Sequence, residues 1–283
     1  MYFDIFAVFN SNMTPTRFKV VGQFLKGNKH VSLAELCNYF FAPSYRSLAS
    51  RFINDIQENG HHFLIYLKGF REPLYYPKDL NPHSLRQVIV ECFNPKNWHY
   101  YEIPETRVNT DDIVVDCGAA EGLFAFIIRE RCRKVYLIEP LFKFIESLEL
   151  TFRNADNIEI IPYAISDTTY STKIISNDIS SSLSDEGDGE QVEVSTLDEL
   201  FFQKEIPVSY LKLDLEGYDY KALLGARQLI QKNKPKIAIT TYHDKDHASQ
   251  IENFLKSIVP EYNILCKGIY QETGTPVMLH AWV

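Results

Sequence analysis

The stretch Ile113-Val114-Val115-Asp116-Cys117-Gly118-Ala119-Ala120-Glu121-Gly122 constrains the fold of this chain more than any other. A compact apolar run leads into a turn with two glycines, and a helical pattern follows over 122–131. Small residues in such a turn let the backbone approach a ligand closely, and the helix behind it offers free N–H groups. Nucleotide-binding α/β units open in this way, with a strand, a loop and then a helix.

The rhythm after Val108 agrees with that opening, because β-rich runs alternate with helical patterns as they do in a parallel sheet. Strands are expected at 134–139 and 158–165, with a helix at 142–152 between them. A polar stretch at 166–193 interrupts the alternation. Within it, Asp185-Glu186-Gly187-Asp188-Gly189-Glu190 lacks the ligand spacing of an EF-hand and reads as a solvated loop. Regularity returns with a short helix at 196–202, a strand at 210–215, a helix at 218–232, a strand at 236–242 and a helix at 248–258. Two strands at 262–269 and 277–283 then follow with no helix between them, which implies an antiparallel hairpin at a sheet edge.

Residues 1–107 read as an extension to the 108–283 domain. Ser32-Leu33-Ala34-Glu35 is a capping box that opens a helix. Leu48, Phe52 and Ile56, four apart and followed by Gly60, suggest a second helix at 46–59. A hairpin is expected from 63–67 and 74–76, and Leu85, Val88, Ile89 and Cys92 mark a third helix. No catalytic pattern is identified in this segment. Its expected role is a cap or a homodimer contact, with a substrate-selecting lid as the alternative.

Charge and cysteine usage remove several classes. A net charge of −8 argues against a broad nucleic-acid surface. The five cysteines (Cys37, Cys92, Cys117, Cys132, Cys266) are dispersed without the paired spacing of a zinc site, as expected of a reducing, cytoplasmic setting. The longest apolar run, 123–128, is far too short to span a bilayer, and the N-terminus makes a poor signal peptide.

The loop also carries a choice of ligand. Asp116 and Glu121 would repel a pyrophosphate, whereas they suit the ammonium of a methionine moiety. That favours S-adenosylmethionine over a nicotinamide dinucleotide. Glu139 ends the next strand about twenty residues on, where a carboxylate accepts hydrogen bonds from ribose hydroxyls. Dehydrogenases share this feature, so Glu139 supports an adenosine ligand without choosing the cofactor.

Tyr210-Leu211-Lys212-Leu213-Asp214-Leu215-Glu216-Gly217 alternates strictly, with Lys212, Asp214 and Glu216 on one face. Central parallel strands are normally apolar on both faces. The charges therefore lie at an exposed edge or form a paired network beside a site. Asp214 and Glu216 are site candidates, and Lys212 is either their ion-pair partner or a substrate contact. His243, at the end of the following strand, is a candidate base or substrate contact. His247, one turn further on, could share a metal with His243, the weaker reading.

Together these pieces resemble the FkbM-type methyltransferases, a branch of the class I S-adenosylmethionine-dependent fold. The matching residues are 115–122, Ile138-Glu139-Pro140, Ser180-Ser181-Ser182-Leu183, 195–200, 211–217, Leu224-Gly225-Ala226 and Tyr242-His243. The resemblance covers roughly 105–283 and implies a seven-stranded, mostly parallel α/β sheet ending in an antiparallel hairpin. It implies methyl transfer to a hydroxyl of a sugar, glycan or glycosylated small molecule. Asp116, Gly118, Glu139 and the Ala164-Ile165-Ser166 turn would line the cofactor pocket, with Ser182 in a loop near it. Ala119, Glu121, Gly122 and Pro140 fall in the same motifs. The candidate catalytic set is Asp214, Glu216, His243 and Lys212. His243 or Asp214 is the base, or Asp214 and Glu216 bind Mg²⁺. A nicotinamide-dependent oxidoreductase and a non-catalytic nucleotide-binding module of the same fold are the rival readings.

Overall fold

A computed structural model describes residues 15–28, 30–177, 180–184 and 189–283. Its centre is a sheet of seven strands: β4 (Ile113–Cys117), β5 (Lys134–Ile138), β6 (Ile158–Ile161), β11 (Tyr210–Leu213), β12 (Lys236–Thr240), β13 (Asn263–Lys267) and β14 (Met278–Trp282). Their order is β13-β14-β12-β11-β4-β5-β6. The five strands from β12 to β6 run parallel, while β14 pairs antiparallel with both β12 and β13. The chain builds outward from β4 to β6, then returns to β11 on the other side of β4. That reversal opens a crevice at the carboxyl ends of β4 and β11, where open α/β sheets take ligands. The sheet has the class I methyltransferase architecture that the sequence implied.

Alternation along the central strands feeds two cores. Val115, Cys117, Leu211, Leu213, Ile237 and Ile239 pack with α7 (Asp219–Leu224), α8 (Arg227–Asn233) and α9 (His247–Ile258). Val114, Val135, Leu137 and Tyr210 face the opposite way, toward α5 (Leu123–Ile128) and α6 (Phe142–Phe152).

The N-terminal elements join this second core. They are α1 (Pro15–Leu25), α2 (Leu33–Phe40), α3 (Tyr45–Ala49), β1 (Ile53–Asn59), β2 (His62–Leu67), β3 (Leu74–Pro77) and α4 (Pro82–Phe93). Ile65, Leu67, Leu74, Tyr76 and Ile89 are buried with α5 and α6 residues in one cluster. The Tyr75 amide donates to Thr151 Oγ1 of α6 at 3.0 Å. α2 carries the expected capping box, with Glu35 N donating to Ser32 Oγ and Ser32 N to the Glu35 carboxylate.

Four sequence expectations are corrected. The helix expected at 46–59 stops at Ala49, and Ile53–Asn59 is a strand paired antiparallel with β2. Asn59 faces His62 across a two-residue Gly60-His61 loop, and Gly60 has φ +58°. Gly60 therefore serves a hairpin turn rather than a helix end. The strand expected at 158–165 breaks at Pro162, which has no N–H for a ladder. Beyond it β7 (Ala164–Ile165) joins a second sheet, ordered β7-β10-β8-β9, with β8 (Tyr170–Asn177), β9 (Ser180–Ser184) and β10 (Glu190–Ser195). The interrupting polar stretch is thus mostly strand, with Thr172, Ile174, Val192 and Val194 buried at alternate positions. Asp185 to Asp188 lie outside the described residues.

The helix expected at 218–232 is two helices parted at Gly225-Ala226. A Cβ on Gly225 would lie 2.3 Å from the Ser166 carbonyl oxygen, and the Asp198 carboxylate accepts from Gln228 N and Leu229 N. Asp198 thus caps the second helix after close packing has broken the first. Among the described residues, no helix is long and apolar enough to cross a membrane.

Candidate active site

The loop after β4 is held open by backbone geometry. Gly118, Ala120 and Gly122 all have positive φ, at +74°, +46° and +78°. A Cβ on Gly118 would sit 2.1 Å from the Asp214 carbonyl oxygen, so the loop passes β11 at a distance only glycine permits. Gly118 N and Ala119 N both donate to Ile138 O of β5, at 3.0 and 3.1 Å. Gly122 packs elsewhere, because its missing Cβ leaves room for Leu148 and Phe152 of α6.

Glu139 stands just past β5, and its carboxylate accepts from Ala120 N at 2.9 Å and Leu141 N at 3.0 Å. Each oxygen retains a lone pair for a ligand donor. Asp116 and Lys212 are register partners on β4 and β11. The Lys212 ammonium is buried and pairs with Asp116 Oδ1 at 2.9 Å. It also donates to Gly118 O at 2.7 Å, tying β11 to the loop. Beyond that ion pair, neither Asp116 oxygen finds a hydrogen-bond donor.

Burial pushes the Asp116 carboxyl above its ordinary range, with Lys212 opposing the shift. Burial likewise pushes Glu121 and Glu139 from 4.5 up to about 7, against relief from backbone N–H groups and the Lys212 ammonium. The folded state thus holds these two protons more tightly than the unfolded chain. Their stabilisation is present below about pH 4.5 and is lost as pH rises to about 7. Glu121→Gln, which mimics the protonated form, should stabilise the ligand-free protein at pH 8 by about 3 kcal/mol. Urea unfolding at pH 8 and at pH 4.5 checks this, and the gain should vanish at the lower pH.

β11 ends at Leu213, two residues short of the expected strand at 210–215, so Asp214 and Glu216 lie beyond it. Asp219 shapes the turn beyond the strand, since its carboxylate accepts from Leu215 N at 3.0 Å and Gly217 N at 3.1 Å. This turn puts Glu216 at φ +49° and still leaves Lys212, Asp214 and Glu216 on one cavity wall. Asp214 accepts from Tyr101 Oη at 2.8 Å and from Thr240 Oγ1 at 3.3 Å. Burial opposes its ionisation, but His99, Lys212, His243 and the Tyr101 hydroxyl hold its carboxyl below the ordinary value.

The two histidines are placed differently. His243 sits between carboxylates, with Nδ1 3.3 Å from Asp219 and Nε2 3.4 Å from Glu216. Burial works against its charge, yet these partners and Asp214 raise it to about 10. His243 is therefore an imidazolium near neutral pH, a poor base. His99 is buried in the 94–112 connection, with Nε2 3.7 Å from Asp214 Oδ2 and 3.4 Å from Tyr242 Oη. Its Nδ1 lies 3.9 Å from Glu91 and has no hydrogen-bond partner.

These groups surround two adjoining cavities. The first is walled by Asp116, Gly118, Ala119, Glu121, Glu139, Pro140, Ala164, Ile165, Lys212, Asp214 and Glu216. Gly122, Ser166 and His243 lie outside its wall. Ser166 is buried against the Asp167 carboxylate and the Ser195 carbonyl. Ser182 lies on β9 opposite Ile175, and its side chain is outside the described residues. The second cavity, of about 990 Å³, is bounded by α1, α2, α3, the 94–99 loop and Tyr270. Gln87, Glu91, His99 and Tyr242 line both.

The sequence reading missed His99, Tyr101 and Glu91. The signal available was the run Trp98-His99-Tyr100-Tyr101-Glu102, an unusually polar-aromatic segment just before the first central strand. Among the described residues, Asp214, Glu216 and His243 are the group that clusters with metal-ligand geometry, their ligand atoms within 4.8 Å of one another. His247 is not part of it.

Residues 116–262 match the methyltransferase FkbM domain. The match spans more than half of the chain, and the chain belongs to this family of methyltransferases. Among solved structures it resembles methyltransferase FkbM from Methylobacillus flagellatus KT at 20% identity and a TM-score of 0.49, over 88% of this chain and 60% of that one. It thus spans about three fifths of that protein's length. An rRNA methylase from Streptococcus thermophilus aligns at 14% identity and a TM-score of 0.41, over 62% of this chain and 87% of that one. Fibrillarin from Aeropyrum pernix, in complex with natively bound S-adenosyl-L-methionine, aligns at 11% identity and a TM-score of 0.40, over 82% and 99% of the two chains. No curated protein matches the sequence.

Proposed function

We propose that this FkbM-family methyltransferase transfers a methyl group from S-adenosylmethionine to a hydroxyl of a sugar, glycan or glycosylated small molecule. The first cavity is its donor site and the second its acceptor site. One observation carries the donor assignment: among the described residues, Asp116, Glu121 and Glu139 are buried around a single ammonium, that of Lys212. Buried carboxylates in excess of their counter-ions favour a cationic ligand and disfavour a pyrophosphate.

S-adenosylmethionine, when bound, supplies a sulfonium methyl open to in-line displacement. Asp116 and Glu121 would hold its ammonium, and the free lone pairs of Glu139 would take the ribose hydroxyls. Gly118 gives the backbone its close approach, and Lys212 keeps Asp116 and the loop in place. Holding the acceptor oxygen in line supplies on the order of 7–11 kcal/mol. His99 Nδ1 would take the proton that the acceptor hydroxyl gives up. Asp214 and Glu91 flank the ring and stabilise the imidazolium. We assign His243 to holding the 214–219 turn. The N-terminal elements act as a cap that walls the acceptor side.

The Asp214, Glu216 and His243 cluster supports a second reading, in which Mg²⁺ orients and acidifies the hydroxyl. Methyl transfer that persists in excess chelator excludes it. Titration calorimetry with S-adenosylhomocysteine tests the donor site. One molecule is expected to bind per chain, weakened at least 100-fold in the Asp116→Asn, Glu139→Gln double variant. Binding of NAD with none of S-adenosylhomocysteine contradicts the proposal.

A further inference from the structure

We infer that the acceptor is an anionic saccharide, held by its carboxylate or phosphate in the outer part of the second cavity. The inference rests on the donor and acceptor assignment above and deepens it. The cavity wall carries three cations, Arg17, Arg51 and Lys96, in a chain whose net charge is −8. None of the three is ion-paired with a carboxylate among the described residues. Arg17 is spent on the carbonyls of Phe40 and Ala42, at 2.6 and 2.7 Å, and its charge still reaches the Tyr39 and Tyr45 hydroxyls. Among the described residues, the one carboxylate on this wall is Glu91, which lies at the junction with the donor cavity. The charge is therefore graded. An anion is favoured in the outer part, and a neutral hydroxyl group at the inner end, beside His99.

The remaining wall suits a polyhydroxylated ring. Tyr39 stacks on Trp98 with centroids 4.4 Å apart, and Tyr242 lies 5.1 Å from Tyr270. Asn38, Asn94, Asn97 and Gln271 add side-chain amides, each both donor and acceptor. Aromatic faces with a few amides orient a sugar ring, and the cations select its charged substituent.

The test uses the full chain saturated with S-adenosylhomocysteine, at low salt. Three probes are titrated by calorimetry: methyl β-D-glucuronide, glucose 6-phosphate and methyl β-D-glucoside. At least one anion should bind at least tenfold more tightly than the neutral glucoside, and which one does so distinguishes carboxylate from phosphate. In the Arg51→Gln, Lys96→Gln double variant that preference should fall at least fivefold, with S-adenosylhomocysteine affinity within twofold of wild type. The inference is overturned if the glucoside binds as tightly as both anions, if no probe binds, or if the double variant keeps the full preference. Failure of S-adenosylhomocysteine to bind the wild-type chain overturns instead the donor site on which the inference rests.

Discussion

Replacing His99 by alanine should lower kcat by 100- to 10,000-fold, the range for loss of a positioned general base, while S-adenosylhomocysteine affinity stays within twofold. The imidazole lines both cavities, so it lies where the proposed donor and acceptor sites meet. Its Nδ1 is buried and has no hydrogen-bond partner. Asp214 and Glu91, at 3.7 and 3.9 Å, stabilise the charge that results. His243 differs in two ways: it does not line the first cavity, and Asp219 and Glu216 already hold it charged, raised to about 10. His243→Asn should therefore cost less than tenfold in kcat. A structural role for His99 would not alter the shape of the pH–rate profile. A base predicts a changed pH–rate profile, with partial rescue by added imidazole. Near-normal kcat in His99→Ala beside a collapse in His243→Asn reverses the assignment.

Lys212→Met should destabilise the protein by about 3–5 kcal/mol at neutral pH, the usual cost of leaving a buried charge unpaired. The lost ammonium neutralises Asp116, which is fully buried, and donates to the Gly118 carbonyl. Two features identify the cause. The penalty should shrink as pH falls, because Asp116 can then escape its isolation by protonating. Adding Asp116→Asn should recover much of the loss, since replacing both members of a buried pair is often nearly neutral. That double variant should fold and fail to bind S-adenosylhomocysteine. Urea titrations of the four proteins complete the cycle. A single-variant cost under 1 kcal/mol shows that Lys212 does not hold Asp116 in this way.

The central sheet was legible because its signals are local and mutually consistent. Apolar strands, helical periodicity and the Gly118 turn all point to one architecture, and the final strands lack a helix between them. The failures have a common cause. At 46–59 a four-residue spacing competed with an Asn59-Gly60 turn, and pairing with β2 decided the outcome. The second sheet was hidden because only one face of β8 and β10 is apolar, and their polar composition reads as loop. The loop carboxylates and the charged end of β11 were visible as site candidates because charges in those places are rare. His99 was not visible, since its significance comes from Asp214 and Glu91, which lie far from it or out of phase in sequence. Nothing in the chain order brings His99 to the end of β11; the packing of the 94–112 connection against the sheet does that.

The most direct test of the proposed reaction is to follow a labelled methyl group. The full chain is incubated with S-adenosylmethionine carrying a ¹³C methyl and with a panel of neutral, carboxylated and phosphorylated sugars, and products are read by mass and by carbon NMR. The expected product is one methyl heavier, with the label in an O-methyl ether and stoichiometric release of S-adenosylhomocysteine, and it is absent in the Asp116→Asn, Glu139→Gln variant. Label recovered on nitrogen or carbon, or bound S-adenosylmethionine left intact with every sugar in the panel, contradicts O-methyl transfer to a saccharide.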